Sequence, residues 1–172
     1  MKFLYFAFYR LFAFYLPKSS VPIIGSISKK IRSFLVGRLF LSIGENVNIE
    51  RTAKFGMGSK ITIGNNSGIG INASILSNTI IGNDVMMGLD CIIYASNHNF
   101  KDLKIPMNKQ GHSENKTTVI GVDVLIGGRV IIIPDKRIGN GVIIGEGNVV
   151  TKNHEDYGIY EGNPTKFIKS RI

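Results

Sequence analysis

From Ile43 onward the large aliphatic residues recur every six positions. The units read I-G-E-N-V-N, I-E-R-T-A-K and F-G-M-G-S-K. After the extra pair Ile61-Thr62 they resume as I-G-N-N-S-G, I-G-I-N-A-S, I-L-S-N-T-I, I-G-N-D-V-M and M-G-L-D-C-I. A partial unit runs from Ile93 to His98, the phase is lost over 99–119, and it returns at Ile120 as I-G-V-D-V-L, continuing to I-G-E-G-N-V. An aliphatic residue opens each unit, Gly often follows, and a small or β-branched residue fills the fifth place. No helix produces this pattern, because six residues turn through ~600° and successive aliphatics would spiral around the surface. A meander of hairpins would alternate, with turns every ~8–12 residues. A triangular β-solenoid accounts for it: each unit gives one short strand and one corner, and three units make a coil. About five stacked coils would bury a ladder of Ile and Val that no single repeat could bury alone. The second-place Gly is expected to take the strained backbone at the bend.

The head of the chain follows another rhythm. Phe3 to Leu16 holds five phenylalanines and three tyrosines interrupted by Arg10, and Ile24, Ile27, Ile31, Phe34 and Leu35 recur at helical spacing. Two short helices broken near Pro17 and Pro22 are predicted. The expected organisation is therefore a basic, apolar helical segment over 1–42 and a solenoid domain over 43–172, with a protruding loop at 99–119 and a tail at 155–172. Fourteen apolar residues fall short of the ~20 that cross a bilayer, and Leu16-Pro17-Lys18 is a poor signal-cleavage site. A segment of this kind suits a membrane interface, or a face of the solenoid or of a partner subunit.

Composition narrows the function. A chain of 172 residues suits one domain with a short appendage. A lone cysteine, Cys91, removes any intrachain disulfide framework and any multi-cysteine zinc site. The net charge of +9 suggests nucleic acid until it is located. Residues 1–42 carry seven basic side chains and no acidic one, whereas 43–172 balance 14 basic against 12 acidic. The body that would present a groove is nearly neutral, and no nucleic-acid partner is expected.

Residues 43–172 resemble the hexapeptide-repeat, left-handed β-helix acyltransferases, of the sugar and polysaccharide O-acetyltransferase type. The repeat carries the likeness, together with Ser96-Asn97-His98-Asn99-Phe100 before the one long loop, the stretch Gly145 to Lys152, and the turn and tail from Gly162 to Lys169. The resemblance implies an all-β fold, a left-handed parallel β-helix of about five coils preceded by the helical segment. It implies acetyl-CoA as acyl donor, no metal, a sugar or glycan acceptor, and a homotrimer in which His98 faces a neighbour's groove. It also implies a cytoplasmic enzyme, with residues 1–42 at the inner membrane surface or packed on the solenoid or trimer axis.

The same likeness assigns roles. His98 would deprotonate the acceptor hydroxyl, a poor nucleophile at neutral pH that an imidazole titrating near the working pH can activate. Asn72, Asn97 and Asp102 would lie on the acceptor side; Asp102, a main-chain carbonyl and an acid from elsewhere are all open as the group orienting the His98 ring. Gly128 would lend its amide to the thioester oxygen. The Glu146 backbone would meet the pantetheine, Thr151 and Lys152 the nucleotide, and Lys166 and Lys169 the phosphates.

Plainer readings stand beside these. His112 reads as solvated loop, and His154 as a cap on the last coil or a water-facing residue. Three histidines without a shared short spacing give little support to a metal site. Asn72 fits equally a corner ladder with Asn66 and Asn78, while Asp84 and Asp90 read as structural corners and Cys91 as packing. The chain departs from the family pattern at Leu125, where Trp is frequent, at Asp135 for Gly, at Glu146 for Ala, and at Asn97 for an acid. Those departures keep open a non-catalytic scaffold or sugar-binding module, and an N-acyltransferase acting on an amino sugar is a further alternative.

Overall fold

A computed structural model describes residues 1–76 and 78–172; Ser77, third in the unit I-L-S-N-T-I, lies outside them. The hexads wind into a parallel β-solenoid with three faces. The first face stacks Ser42–Ile43, Ile61–Ile63, Thr79–Ile81, Thr118–Ile120 and Arg137–Ile138. The second begins with Asn48–Ile49 and Gly68–Ile69 and continues through Met86–Met87, Leu125–Ile126, Ile143–Ile144 and Gly158–Glu161. The third stacks Ser74–Ile75, Ile92–Ile93, Ile131–Ile132 and Val149–Val150. The tail strand Lys166–Ser170 runs antiparallel to Gly158–Glu161.

Register places like on like. Ile63, Ile81, Ile120 and Ile138 lie in one file, and Ile75, Ile93, Ile132 and Val150 in another. The first place of each unit points inward, and so does the fifth, where Ala73, Val85, Cys91, Val130 and Val142 are buried. The six-residue period is thus the period of two inward side chains per face.

The corners correct one expectation. The left-handed backbone falls on the fourth place: Asn46, Asn66, Asn72, Asp84, Asp90, Asp123 and Asp135 have φ between 53° and 65°. Short polar side chains tolerate that conformation by bonding locally. The second-place glycines answer to stacking instead. A Cβ on Gly70 would lie 1.9 Å from the Gly88 carbonyl oxygen, and one on Gly88 would lie 2.5 Å from the Gly128 nitrogen.

Helices α1 (Lys2–Leu11) and α2 (Ile24–Gly37) close one end of the prism. Tyr9 is fully buried and its hydroxyl donates to the Ala53 carbonyl at 2.8 Å. The Arg32 guanidinium, also buried, donates to the carbonyls of Ile49, Leu16 and Pro17 and lies 3.7 Å from the Glu50 carboxylate. Burial alone would raise the Glu50 pKa, but hydrogen bonds from Ser19, Asn48 and the Arg51 amide outweigh it and hold the carboxyl below its usual range. Head and solenoid share one apolar core running from Tyr9 to Tyr160.

Helix α2 turns in an unexpected direction. Of its apolar stripe, Ile24, Ile27 and Phe34 are exposed and Ile31 is half-buried, while Leu35 faces the solenoid with Gly25, Ser28, Arg32 and Val36. A helix seated on backbone carbonyls needs small residues and a guanidinium there more than it needs isoleucine.

Truncation of a core rung tests the stacking. Ile126→Ala is expected to cost about 2–5 kcal/mol in urea unfolding. Ile80→Ala, at a position 45% exposed, should cost less than about 1 kcal/mol.

Candidate active site

The loop over 99–119 leaves the corner between the third and first faces on a two-stranded stalk. The Lys116 amide donates to the Ala95 carbonyl at 2.7 Å, the Ser113 amide to Asn97 at 2.8 Å and the Asn99 amide to Gly111 at 3.0 Å. Between these ties His98 stands opposite His112 in antiparallel register. Side chains at such a non-hydrogen-bonded position approach closely on one side of the ladder, and the two rings are 4.1 Å apart at 39°. Farther out, the Gln110 amide group donates to the carbonyls of Asp102 at 2.7 Å and Ile105 at 2.6 Å and holds the tip closed. The loop therefore has internal structure, and both imidazoles are exposed.

Of the residues singled out from sequence, Asn97, His98 and Asp102 line one open cavity of about 690 Å³, together with Phe100, Lys101 and Lys109. The Asp102 carboxylate accepts the Lys104 amide at 2.8 Å. The group against the His98 ring is His112. Its role was hidden because the loop lies outside the six-residue phase, where neighbours follow from stalk register and not from spacing.

A second set lies on the corner between the second and third faces. Gly128 and Glu146 line a groove of about 310 Å³ with Leu89, Arg129 and Gly147. The Gly128 carbonyl accepts the Gly147 amide at 2.8 Å, and the Gly128 amide has no acceptor among the described residues. Arg129 was missed. It occupies the fourth place of its unit, where Asn or Asp stands in most others, with φ 59°. Its guanidinium lies 3.9 Å from the Asp90 carboxylate and sets a cation beside the groove that also holds Glu146. That replacement at an otherwise regular place was the available signal.

Asn72 lies on the same corner, away from the His98 cavity. Its side chain accepts the Thr52 hydroxyl and donates to the Asp90 carboxylate at 3.0 Å. The ladder is thus Thr52–Asn72–Asp90, while Asn66 joins a different corner with Asn46 and Asp84. Coils stack corner on corner, so partners come from adjacent coils on one edge, which Asn66 and Asn78 do not share with Asn72. Cys91 is buried, with its sulfur 3.1 Å from the Gly127 carbonyl oxygen, and burial raises its thiol pKa.

Thr151 and Lys152 follow Val149–Val150, on the edge from which the loop emerges, and Lys166 and Lys169 are exposed on the tail strand. The tail is held by the Thr165 amide on the Val149 carbonyl at 3.0 Å and by Thr165 Oγ1 at 3.0 Å from His154 Nε2. His154 is buried against the Tyr160 ring at 3.8 Å, and burial pushes its pKa down to about 4. It is a cap on the last coil. Within one chain, therefore, the His98 cavity and the Gly128 groove occupy different edges of the prism. Among the described residues no three His, Cys, Asp or Glu side chains form a metal-holding cluster.

Set against known proteins, the chain matches no family model. It is 32% identical over 142 residues to a galactoside O-acetyltransferase of Lactococcus lactis, spanning 80% of this chain and 66% of that protein. The Escherichia coli galactoside O-acetyltransferase is 29% identical over 140 residues, spanning 80% and 68%. A probable macrolide acetyltransferase of Lysinibacillus sphaericus is 56% identical over 55 residues, so the chain spans 31% of that relative's length. The solved maltose O-acetyltransferase of Clostridium difficile superposes with a TM-score of 0.79 at 28% identity, covering 98% of this chain and 85% of that one. A galactoside acetyltransferase solved in complex with coenzyme A gives 0.78 at 27%, covering 98% and 78%. Fold and relatives together support assigning this chain to the hexapeptide-repeat acetyltransferases, as the repeat had suggested.

The His154 cap gives a pH signature. Its folded pKa lies below the unfolded value near 6.5, so the unfolded chain binds the extra proton. The His154 contribution is fully present above about pH 6.5, is lost as pH drops towards about 4, and changes no further below. The loss is on the order of 3 kcal/mol at most. Urea midpoints across that range should show the fall, and His154→Phe should flatten it.

Proposed function

We propose that this chain is an O-acetyltransferase that moves acetyl from acetyl-CoA to a hydroxyl of a sugar or cell-surface glycan precursor. The observation that carries the reading is the pairing of an exposed imidazole on a tied stalk beside a 690 Å³ cavity with a glycine-lined groove on another edge, in a chain of this family. His98 takes the acceptor's proton as the hydroxyl oxygen attacks the thioester carbon. The developing oxyanion is met by the Gly128 amide, which has no other acceptor among the described residues to give up. The C–O bond forms, the C–S bond breaks, and the proton on His98 passes to the departing thiolate.

Asn97 and Asp102 line the acceptor side. Asn72 contacts the acceptor from the groove edge, the Glu146 main chain meets the pantetheine, and Thr151 and Lys152 the nucleotide. Lys166 and Lys169 serve the phosphates as point charges. Arg129 offsets the Glu146 carboxylate beside a polyanionic donor. Because cavity and groove sit on different edges, one copy cannot complete the site. A cyclic homotrimer, in which the His98 edge of one subunit meets the Gly128 edge of the next, supplies both halves. The enzyme acts in the cytoplasm, where acetyl-CoA is available, at the inner membrane surface through residues 1–42.

A second reading rests on Glu146, whose carboxylate lies where the donor would pass: a scaffold or sugar-binding module with a decayed groove. Thiol release from acetyl-CoA with a panel of sugars separates the two. Acceptor-dependent release that falls about 10²–10⁴-fold in His98→Ala supports transfer. Sugar binding without release, unchanged in His98→Ala, would favour the module.

A further inference from the structure

The outer surface of the helical head is unused by acetyl transfer. Helix α1 is apolar on both sides. Tyr9, with Ala13 and Phe14 just beyond the helix, faces the solenoid, while Leu4, Phe8, Leu11 and Tyr15, spaced by four, three and four, form a second stripe that is 57–81% exposed. The exposed stripe of α2, Ile24, Ile27 and Phe34, lies alongside, because the Tyr5 and Phe34 rings meet edge-on at 6.5 Å between the helices. Ile23, just before α2, is 82% exposed in a γ-turn (φ 63°, ψ −64°) closed by the Ile24 amide on the Pro22 carbonyl at 2.7 Å, a conformation that β-branched residues avoid. A sequence that strains a backbone and leaves so many large apolar groups in water has a partner for them.

Charge identifies that partner. Every charged residue in 1–42 is basic. The Arg10 guanidinium lies over the Phe14 ring at 4.4 Å and Arg38 over Phe34 at 5.4 Å, while Lys18 and Lys30 are exposed. An apolar stripe bordered by cations, with no acid among them, complements an anionic lipid surface. A second copy presenting the same face would set Arg10, Lys30 and Arg38 against the same three cations. Helix α1, at ten residues, is ~15 Å long, and no helix among the described residues is long and apolar enough to cross a membrane. A head of these dimensions would lie in the plane of an interface, not across it.

We propose that the outer face of α1 and α2 is an interfacial anchor for bilayers rich in anionic lipid. Leu4, Phe8, Leu11 and Phe34 enter the acyl–headgroup boundary, and Arg10, Lys30 and Arg38 meet the lipid phosphates. This rests on the membrane placement proposed for residues 1–42 and on nothing in the acetyl-transfer chemistry; thiol release in the absence of lipid is read separately, so either can fail alone.

The test is co-sedimentation of the full chain with phosphatidylcholine vesicles, with and without phosphatidylglycerol. Binding should rise at least about tenfold with phosphatidylglycerol, each cation contributing roughly fivefold. Phe8→Glu with Leu11→Glu should abolish it, with thermal midpoint and solution mass unchanged because both residues are exposed. Lys30→Gln with Arg38→Gln, which leaves the apolar stripe intact, should remove most of the phosphatidylglycerol dependence and holds as a test if the first variant misfolds. Equal binding to both vesicles, no binding, or undiminished binding by the two variants would overturn the anchor. So would a fall in solution mass in the glutamate variant, which would assign this face to a contact between copies.

Discussion

A coil of this solenoid has no core of its own. Its three short strands enclose a channel only a side chain or two wide, and their backbone groups bond only to the coils above and below. Stacking solves both problems at once: Ile81 sits between Ile63 and Ile120, and each strand amide finds the carbonyl of its neighbour. The demand for close stacking then dictates the rest of the repeat. Glycine is needed where coil presses on coil, as at Gly70 and Gly88. Asn or Asp is needed where the chain turns left-handed. Function is left to whatever departs from the repeat.

Two departures carry the proposed chemistry. The loop departs in phase, and the stalk it stands on fixes His98 against His112. The groove departs in composition, with Gly128 at the third place, where the other units carry a bulkier side chain, and Arg129 at the fourth, where Asn or Asp stands in most others. A rigid prism holds the two on separate edges, which is why a closed ring of subunits suits this fold better than a monomer. Rigidity also explains how a site split between chains could keep its geometry: neither half depends on a flexible hinge.

The solenoid was legible because its constraint is periodic. Ile69, Ala73 and Ile75 announce two inward places in every six, and those residues are buried. What the repeat left unread depends on three-dimensional adjacency. The partners of Asn72 are Thr52 and Asp90, one coil to either side, and a corner ladder is invisible until the coils are in register. His112 reaches His98 through stalk pairing, and Arg129 flanks Glu146 across a coil. In the head the two helices were legible and the orientation of α2 was not. Ile24, Ile27 and Phe34 have the spacing of a packing face and point outward, because α2 seats Arg32 on the carbonyls at the mouth of the prism. Amphipathic spacing identifies an apolar face without saying what covers it.

The central claim is that the imidazole and the groove come from different copies, and mixed oligomers test it most directly. His98→Ala removes the base and Gly128→Trp fills the groove, so each variant alone should be inactive in sugar-dependent thiol release. Refolded together in equal amounts, they should recover about a quarter of the wild-type rate, since random assembly into a ring leaves that share of interfaces with both halves intact. Mixed oligomers that form and remain as inactive as their parents would contradict a site shared between subunits.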